Sequence, residues 1–357
     1  MNYTIPIIIP SLEPDENLPK LVKELKQAEL LPIVIVDDGS GKEYRGIFDK
    51  LEQEHGCILL RNAVNLGKGR ALKNAFNFCI NNFENMIGCI TADSDGQHTV
   101  ECIKKCKEAL IENQNSLVLG VRDFSGEDIP AKSRFGNNLT KWVCKNLCGV
   151  NVSDTQTGLR AIPTEFMKNL LSLKGERFEF ETRMLLEAKD KFPIVEVPIK
   201  TIYDSKDNHA THFDPIKDSI RIYKIFLGQF GRFLFSSLSS SVVDLVLFAL
   251  FCKMLVGIGN GEIYVAIATV FARVISAVYN YLINYIVVFH SGSAHKKSAV
   301  RYFGLAVVQM LCSAGIVTGI ATLLPALPKL IIKIPVDIFL FFASFCIQRE
   351  FVYRSKN

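Results

Sequence analysis

Two carboxylates one residue apart occur in Thr91-Ala-Asp93-Ser-Asp95-Gly-Gln97-His98, directly after the apolar run Met86 to Ile90. Hard oxygen ligands at that spacing can hold a divalent cation that also grips a diphosphate, and so neutralise a nucleotide leaving group. Alone, an Asp-x-Asp pair is more often an acidic turn, so its company matters. Val36-Asp37-Asp38-Gly-Ser40 also ends an apolar run and sets two acceptors where a base or ribose could be held. Asn65-Leu-Gly67-Lys68-Gly69 leads into a helical pattern, a basic loop at a helix N-terminus that suits phosphate. Arg122 and Ser133-Arg134 add guanidinium groups whose geometry matches phosphate oxygens. Asp154-Thr-Gln156-Thr-Gly158-Leu-Arg160 and Arg177-Phe-Glu179-Phe-Glu181 extend the polar series.

These clusters need a frame that brings them to one edge. Short β-rich runs, Ile5 to Ile9, Ile33 to Val36, Cys57 to Leu60, Met86 to Thr91 and Leu117 to Val121, alternate with helical patterns such as Leu18 to Leu25 and Ala71 to Ile80. Alternation of this kind predicts a parallel or mixed sheet with helices on both faces, which binds ligands at the carboxyl ends of its strands. The acidic and basic clusters follow those ends.

The remainder of the chain belongs to a different solvent. Mean hydropathy is +0.21, high for a soluble protein, and the 357 residues divide unevenly in charge. Residues 231–357 hold 11 Lys/Arg and 4 Asp/Glu, leaving 30 basic and 32 acidic residues in the first 230. Apolar runs at about 233–256, 263–289, 301–324 and 330–350 are each long enough for about 30 Å of hydrocarbon. A wholly soluble enzyme, a disulfide scaffold and a disordered chain are thereby excluded. No Lys or Arg lies in Gly257 to Glu262, whereas Lys296, Lys297 and Arg301 follow the second run and Arg349, Arg354 and Lys356 end the fourth, so both termini are expected to be cytoplasmic. Lys329 and Lys333 lie on the predicted outer side. The N-terminus lacks the pattern of a signal peptide. Pro215 to Phe230 places Lys217, Arg221 and Lys224 on one helical face, as in a membrane-surface helix. Asp244 and Arg273 fall at matching depths in the first two runs and are expected to pair; Asp337, near the outer edge, matches less well. The ten cysteines form no CxxC pair and read as reduced, mostly buried thiols.

Taken in order, Ile9-Pro10, Val36 to Ser40, Gly67 to Gly69, Asp93 to Gln97, Arg122, Ser133-Arg134 with Gly136-Asn137, Asp154 to Gly158 and Glu196-Val-Pro-Ile199 resemble glycosyltransferase family 2. Within it they are most similar to the dolichyl-phosphate mannosyltransferase or GtrB-like enzymes that glycosylate a polyprenyl phosphate. The tail resembles GtrA-like membrane domains through Arg232-Phe with Asp244, Ala272-Arg273 with Asn280 and Asn284, and Gln348-Arg349. The resemblance implies an α/β GT-A, Rossmann-like domain over 1–205, a juxtamembrane amphipathic segment over 206–230 and an all-α domain of four transmembrane helices over 231–357. It implies an inverting, metal-dependent enzyme that moves a sugar from a UDP- or GDP-linked donor to a polyprenyl phosphate at the cytoplasmic membrane face. By resemblance, Asp93, Asp95 and Gln97 hold Mg²⁺ or Mn²⁺, and Pro10, Asp15, Asp37, Asp38, Lys68 and Asp93 bind the nucleotide. Arg122, Ser133 and Arg134 hold the acceptor phosphate, with Asp95, Arg122 and Arg134 catalytic. Where much of the family has Tyr-Asn-Glu, this chain has Leu12-Glu13-Pro14-Asp15, which leaves the donor base open. A homo-oligomer is compatible with this reading, and nucleic acid is not an expected partner.

Two other readings compete. A processive polysaccharide synthase would carry a QxxRW motif, but the sole tryptophan, Trp142, follows Thr140-Lys141. An inactive scaffold or a lipid-linked sugar translocation protein would not need an intact Asp93-Ser-Asp95-Gly-Gln97. Lys206 and His212 could close over a donor diphosphate or form a solvated linker.

Overall fold

The computed structural model describes residues 3–122, 131–189, 191–200, 217–255, 263–289, 291, 293–324 and 326–354, without the side chains of 131–135, 263, 266, 329 and 330. Lys206 and His212 fall outside the described residues. The chain divides into two compact units, Met1–Ile225 and Phe226–Asn357.

The first unit is built on a seven-stranded sheet. Strands β1 (Ile7–Ser11), β2 (Ile33–Asp37), β3 (Ile58–Arg61), β4 (Gly88–Thr91), β5 (Leu117–Arg122), β6 (Arg160–Pro163) and β7 (Ile194–Ile199) lie in the order β3-β2-β1-β4-β6-β5-β7. All pairs are parallel except those of β6, which runs antiparallel to β4 and β5. Helices α1 (Asn17–Gln27), α2 (Arg45–Gln53), α3 (Lys68–Asn82), α4 (Val100–Glu112), α5 (Ala131–Val143), α6 (Thr164–Leu171) and α7 (Glu179–Ala188) complete it. Ile7, Ile8 and Ile9 are all fully buried, as a central parallel strand covered on both faces requires; hence the unbroken apolar run rather than an alternating one. Leu18, Leu21, Val22 and Leu25 put the apolar stripe of α1 into the same core. Thr99 accepts from the Cys102 N–H and caps α4. This is the Rossmann-like α/β arrangement of a GT-A domain. All ten cysteines are free, and six are buried.

The reversed strand β6 decides where the site forms. Thr91 is paired with Arg160, so the carboxyl end of β4 meets the amino end of β6 and brings Asp154 to Arg160 to the edge that carries Asp93. The Thr91 hydroxyl fastens this junction by donating to the Gly158 carbonyl at 2.8 Å.

The second unit is helical. Helix α8 (Lys217–Leu255) begins in the first unit, and α9 (Ile263–Ile283), α10 (His295–Leu323) and α11 (Lys329–Ile347) follow. Lys217–Leu255, Ile267–Val288, His295–Leu323 and Ile331–Val352 are four helices long and apolar enough to cross a membrane. Their outer faces show Phe235, Leu245, Met310 and Phe339 to the surroundings, the opposite of a water-soluble bundle. Polar contacts run between α8 and α9: the Ser240 hydroxyl donates to the Ser276 carbonyl at 2.9 Å, and the Ser276 hydroxyl donates to Asp244 at the same distance. Asn284 donates to Asn280 at 2.7 Å and to Gln348 at 3.3 Å, tying in the segment after α11. Interhelical bonds of this kind substitute for the hydrophobic drive that lipid cannot supply.

As its depth implies, Arg273 lies beside Asp244, with Nη1 3.6 Å from Oδ2. Asp337 instead takes Lys333 at 2.9 Å and the Ser313 hydroxyl at 2.7 Å. A lone charge at mid-membrane costs about 2.5–3.5 kcal/mol on insertion scales. Asp244→Arg or Arg273→Asp alone is therefore expected to lower membrane-inserted protein, and the double exchange to recover it. Recovery by exchanges at Asp337 instead would assign the pairing to α11.

Candidate active site

A cavity of about 550 Å³ opens at the carboxyl ends of β1, β2, β4 and β5. Pro10, Asp15, Asp38, Lys68, Asp93, Asp95 and Arg122 all line it. Its size suits a small-molecule ligand. Asp37 and Gln97 are not among its lining residues. Ser133 and Arg134 stand in the first turn of α5, but their side chains lie outside those described.

Lys68 is the electrostatic centre. Its ammonium lies 2.6 Å from Asp93 and 3.0 Å from Glu181. Burial alone would lower the Lys68 pKa, but these two carboxylates outweigh it and hold the amine charged well above its usual range. Burial would likewise raise Asp93; Lys68 and then His98, whose Nε2 lies 3.4 Å away, overcome it and keep the carboxylate ionised. Asp95 is in the contrary position. Burial and the neighbouring Asp93 charge push its pKa up, eased by the Gln97 N–H that donates at 3.0 Å. A carboxylate so placed gains from a cation. Asp95 supplies an oxygen donor on the cavity wall with no cation paired to it among the described residues, one oxygen of Asp93 is already occupied by Lys68, and no three Asp, Glu, His or Cys side chains cluster as a metal site among those residues.

The two acidic residues at the end of β2 serve the loops. Asp38 accepts from the Asn62 amide at 2.7 Å, from Leu66 N–H at 3.0 Å and from Gly67 N–H at 2.8 Å. It thus shapes the Asn65-Leu-Gly67 loop that presents Lys68, and Asp37 accepts from Ser40 N–H at 2.9 Å. Gly67 takes φ +100° with the Glu176 carbonyl 2.5 Å from where a Cβ would lie, so no other residue fits this turn without displacing backbone. Asp15 bonds the Asn17 N–H and side-chain amide, both at 2.9 Å, at the start of α1.

Arg122 ends β5 and grips Asp154 with two donors, at 2.6 and 3.1 Å. Asp154 is fully buried and Arg122 is half-buried on the cavity wall. Removing the guanidinium leaves Asp154 uncompensated, a loss of about 3–5 kcal/mol for a broken buried pair. Arg122→Ala is accordingly expected to lower thermal stability as well as activity, and Arg122→Lys to recover more of the stability than of the activity, because an ammonium cannot reproduce the two-pronged geometry. Equal loss in both variants on both readouts would contradict this.

Sequence reasoning assigned no role to Glu181, Arg177, Phe178, Thr155, Gln156 or Thr182, which also line the cavity. Arg177-Phe-Glu179-Phe-Glu181 drew notice only as a polar segment. What delivers Glu181 is Arg160, fully buried, whose guanidinium donates to the Thr157 carbonyl at 2.9 Å and the Glu181 carbonyl at 2.7 Å.

Comparison with known proteins gives the family of each part of the chain. The family described as Glycosyl transferase family 2 matches residues 7–171, and that described as GtrA/DPMS, transmembrane domain, matches 232–353. A UDP-N-acetylglucosamine–dolichyl-phosphate N-acetylglucosaminyltransferase of Methanococcus voltae is 30% identical over 219 residues, covering 55% of this chain and 85% of the relative. The chain belongs to glycosyltransferase family 2. This glycosyltransferase is also 29% identical over 202 residues to an uncharacterized protein of Methanocaldococcus jannaschii, covering 55% of the chain and 81% of the relative. Among solved structures, glucosyl-3-phosphoglycerate synthase from Mycobacterium tuberculosis, in complex with Mn²⁺, UDP and phosphoglyceric acid, aligns with TM-score 0.45 and 16% identity over 63% of this chain and 78% of that one. The family glycosyltransferase domain and the membrane domain therefore occur in one polypeptide, an integral membrane protein.

Proposed function

We propose that this glycosyltransferase moves a sugar, with inversion, from a nucleotide sugar to the phosphate of a polyprenyl phosphate at the cytoplasmic membrane face. The observation that carries the reading is the cavity in which Lys68, Asp93 and Asp95 converge at the strand ends, in a chain whose described residues also include four membrane-length helices. The acceptor class is supported by the dolichyl-phosphate named for the Methanococcus voltae relative, and the orientation by the basic residues after the second and fourth spans.

Phosphate oxygen is already ionised at neutral pH, so the site needs no strong general base; it must orient the acceptor and stabilise the departing nucleotide. A divalent cation held by Asp95, with Asp93 and Gln97 beside it, would supply charge neutralisation at the leaving diphosphate. Lys68 contributes a fixed positive charge at the same edge, kept in place by Asp93 and Glu181. Asp38 holds the loop that carries Lys68, and Pro10 and Asp37, at the carboxyl ends of β1 and β2, with Asp15 just before α1, would flank the nucleotide. Arg122, with Ser133 and Arg134 at the start of α5, receives the acceptor phosphate.

The test is a panel of UDP- and GDP-linked sugars offered to the detergent-solubilised full chain with a short polyprenyl phosphate. One donor is expected to give a lipid carrying a single sugar. Polymer would indicate a processive synthase, and no transfer from any donor a scaffold. Activity is also expected to vanish with a chelator and to return with Mg²⁺ or Mn²⁺; turnover unaffected by chelation would remove the metal from the reading.

A further inference from the structure

One polar group in the membrane unit is left facing outward at a depth where no solvent reaches it. Arg273 lies ten residues past Ile263, where α9 begins, about 15 Å along the helix at 1.5 Å per residue, close to the middle of a hydrocarbon layer of about 30 Å. Its side chain is 75% exposed, whereas that of Asp244 is 16% exposed. Among the described residues its guanidinium makes no hydrogen bond, the 3.6 Å approach to Asp244 being its sole polar contact. Five N–H donors that lack acceptors are costly in hydrocarbon. Snorkelling relieves such a group only near a helix end. The Lys333–Asp337 pair differs on both counts, since it lies near the end of α11 and its carboxylate has Lys333 and Ser313 as partners.

The surface around Arg273 suits close approach of another helix. Ser237 and Ser241, one turn apart on α8, share the side of that helix that carries Asp244, and the Ser241 hydroxyl is spent on the Ser237 carbonyl at 3.1 Å. Small residues at this spacing let helix backbones come together in lipid. Leu245 on α8 and Val270 and Val274 on α9 stand beside this face and are all more than half exposed.

What must cover this face is an acceptor for Arg273 set among small and aliphatic residues, and the same face of a second molecule supplies it. A two-fold contact is self-complementary: if residue i of one copy meets residue j of the other, j also meets i. We propose that the α8–α9 face bearing Ser237, Ser241, Asp244 and Arg273 is a two-fold contact between two copies of this chain within the bilayer, each Arg273 seated against Asp244 of the partner subunit. The four groups then sum to zero charge, and each guanidinium gains a second carboxylate. The inference rests on the membrane unit alone and is independent of the transfer reaction.

The test uses the full chain, singly labelled and reconstituted into phospholipid vesicles at low density, with subunits counted by photobleaching. Two steps are expected. Ser241→Phe and Arg273→Leu are each expected to lower the two-step fraction at least tenfold at fixed density. Ser241 faces outward, so bulk there leaves the packing of one copy intact. In a background with Cys252, Cys312 and Cys346 replaced by Ser, Ser241→Cys is expected to oxidise to a covalent dimer, and Met310→Cys on α10 is not. Single-step molecules at every density, an unchanged fraction in Ser241→Phe, or a crosslink at Met310→Cys instead would overturn the proposal. So would a single-step wild type in which Arg273→Leu reduces only lipid glycosylation, a result that would assign the guanidinium to a lipid phosphate. Because subunits are counted without turnover, failure here leaves the catalytic reading standing, and the converse holds.

Discussion

Asp95→Asn is expected to lower sugar transfer by at least about 100-fold, the scale of loss when one electrostatic element of a preorganised site is removed, while the protein stays folded. The two effects separate because of how Asp95 is held. Its one backbone bond, from the Gln97 N–H, can be accepted equally well by an asparagine oxygen. Its pKa is raised, by burial and by Asp93. A raised carboxylate pKa means that the ionised form is disfavoured in the folded state, so this charge opposes folding at any pH above the ordinary value of 3.8. Asparagine removes the opposition, and thermal stability at neutral pH should hold or rise. What is lost is the charge that a cation and diphosphate would meet. Transfer measured with Mg²⁺ or Mn²⁺, beside a melting curve, decides the matter: full activity in the variant would sink the role assigned to Asp95.

Much of this site could be anticipated because its parts lie where local pattern speaks. Strands β1 to β5 announce themselves as apolar runs, and Asp37-Asp38 and Asp93 to Asp95 stand at or just past their ends. The four membrane spans show in hydropathy, and the Asp244–Arg273 pairing follows from counting residues to a common depth. What pattern did not reveal depends on contacts far apart in the chain. Strand β6 has only four residues and opens on Arg160, so nothing in its periodicity marks it as a strand or gives its direction. Asp38, expected to face the nucleoside, spends its carboxylate on a loop 24 to 29 residues away. Arg122 meets Asp154 across 32 residues. Glu181 reaches Lys68 because the buried Arg160 guanidinium ties the start of β6 to α7, a bond that neither sequence segment betrays by itself. Local periodicity reports which face of an element is buried; it does not report which distant partner satisfies a buried charge.

Gly158→Ala follows from one of those distant contacts, and it is expected to be nearly as damaging as loss of Asp95. A Cβ on residue 158 would lie 2.1 Å from one Asp93 oxygen and 2.6 Å from the other and from the carboxyl carbon. The backbone offers no relief, since the Gly158 carbonyl is held by the Thr91 hydroxyl at 2.8 Å in the junction between β4 and β6. Asp93 must therefore swing away. It cannot do so and keep both the 2.6 Å contact to Lys68 and the approach of His98. Lys68 is then left with Glu181 alone, and the positive charge shifts from the edge where the diphosphate is expected. Misplacement of about 1 Å in such a site can cost about 100-fold, so transfer should fall by that order. The sheet is expected to form as before, because the glycine φ here is one that alanine can adopt. Pairing the change with Asp93→Ala distinguishes the cause: if the collision with Asp93 is the fault, Gly158→Ala should lose stability in the wild-type background and lose little when Asp93 is already Ala, with activity absent in both Asp93→Ala proteins. An equal stability loss in the two backgrounds would mean that the glycine serves the β4–β6 junction rather than the carboxylate.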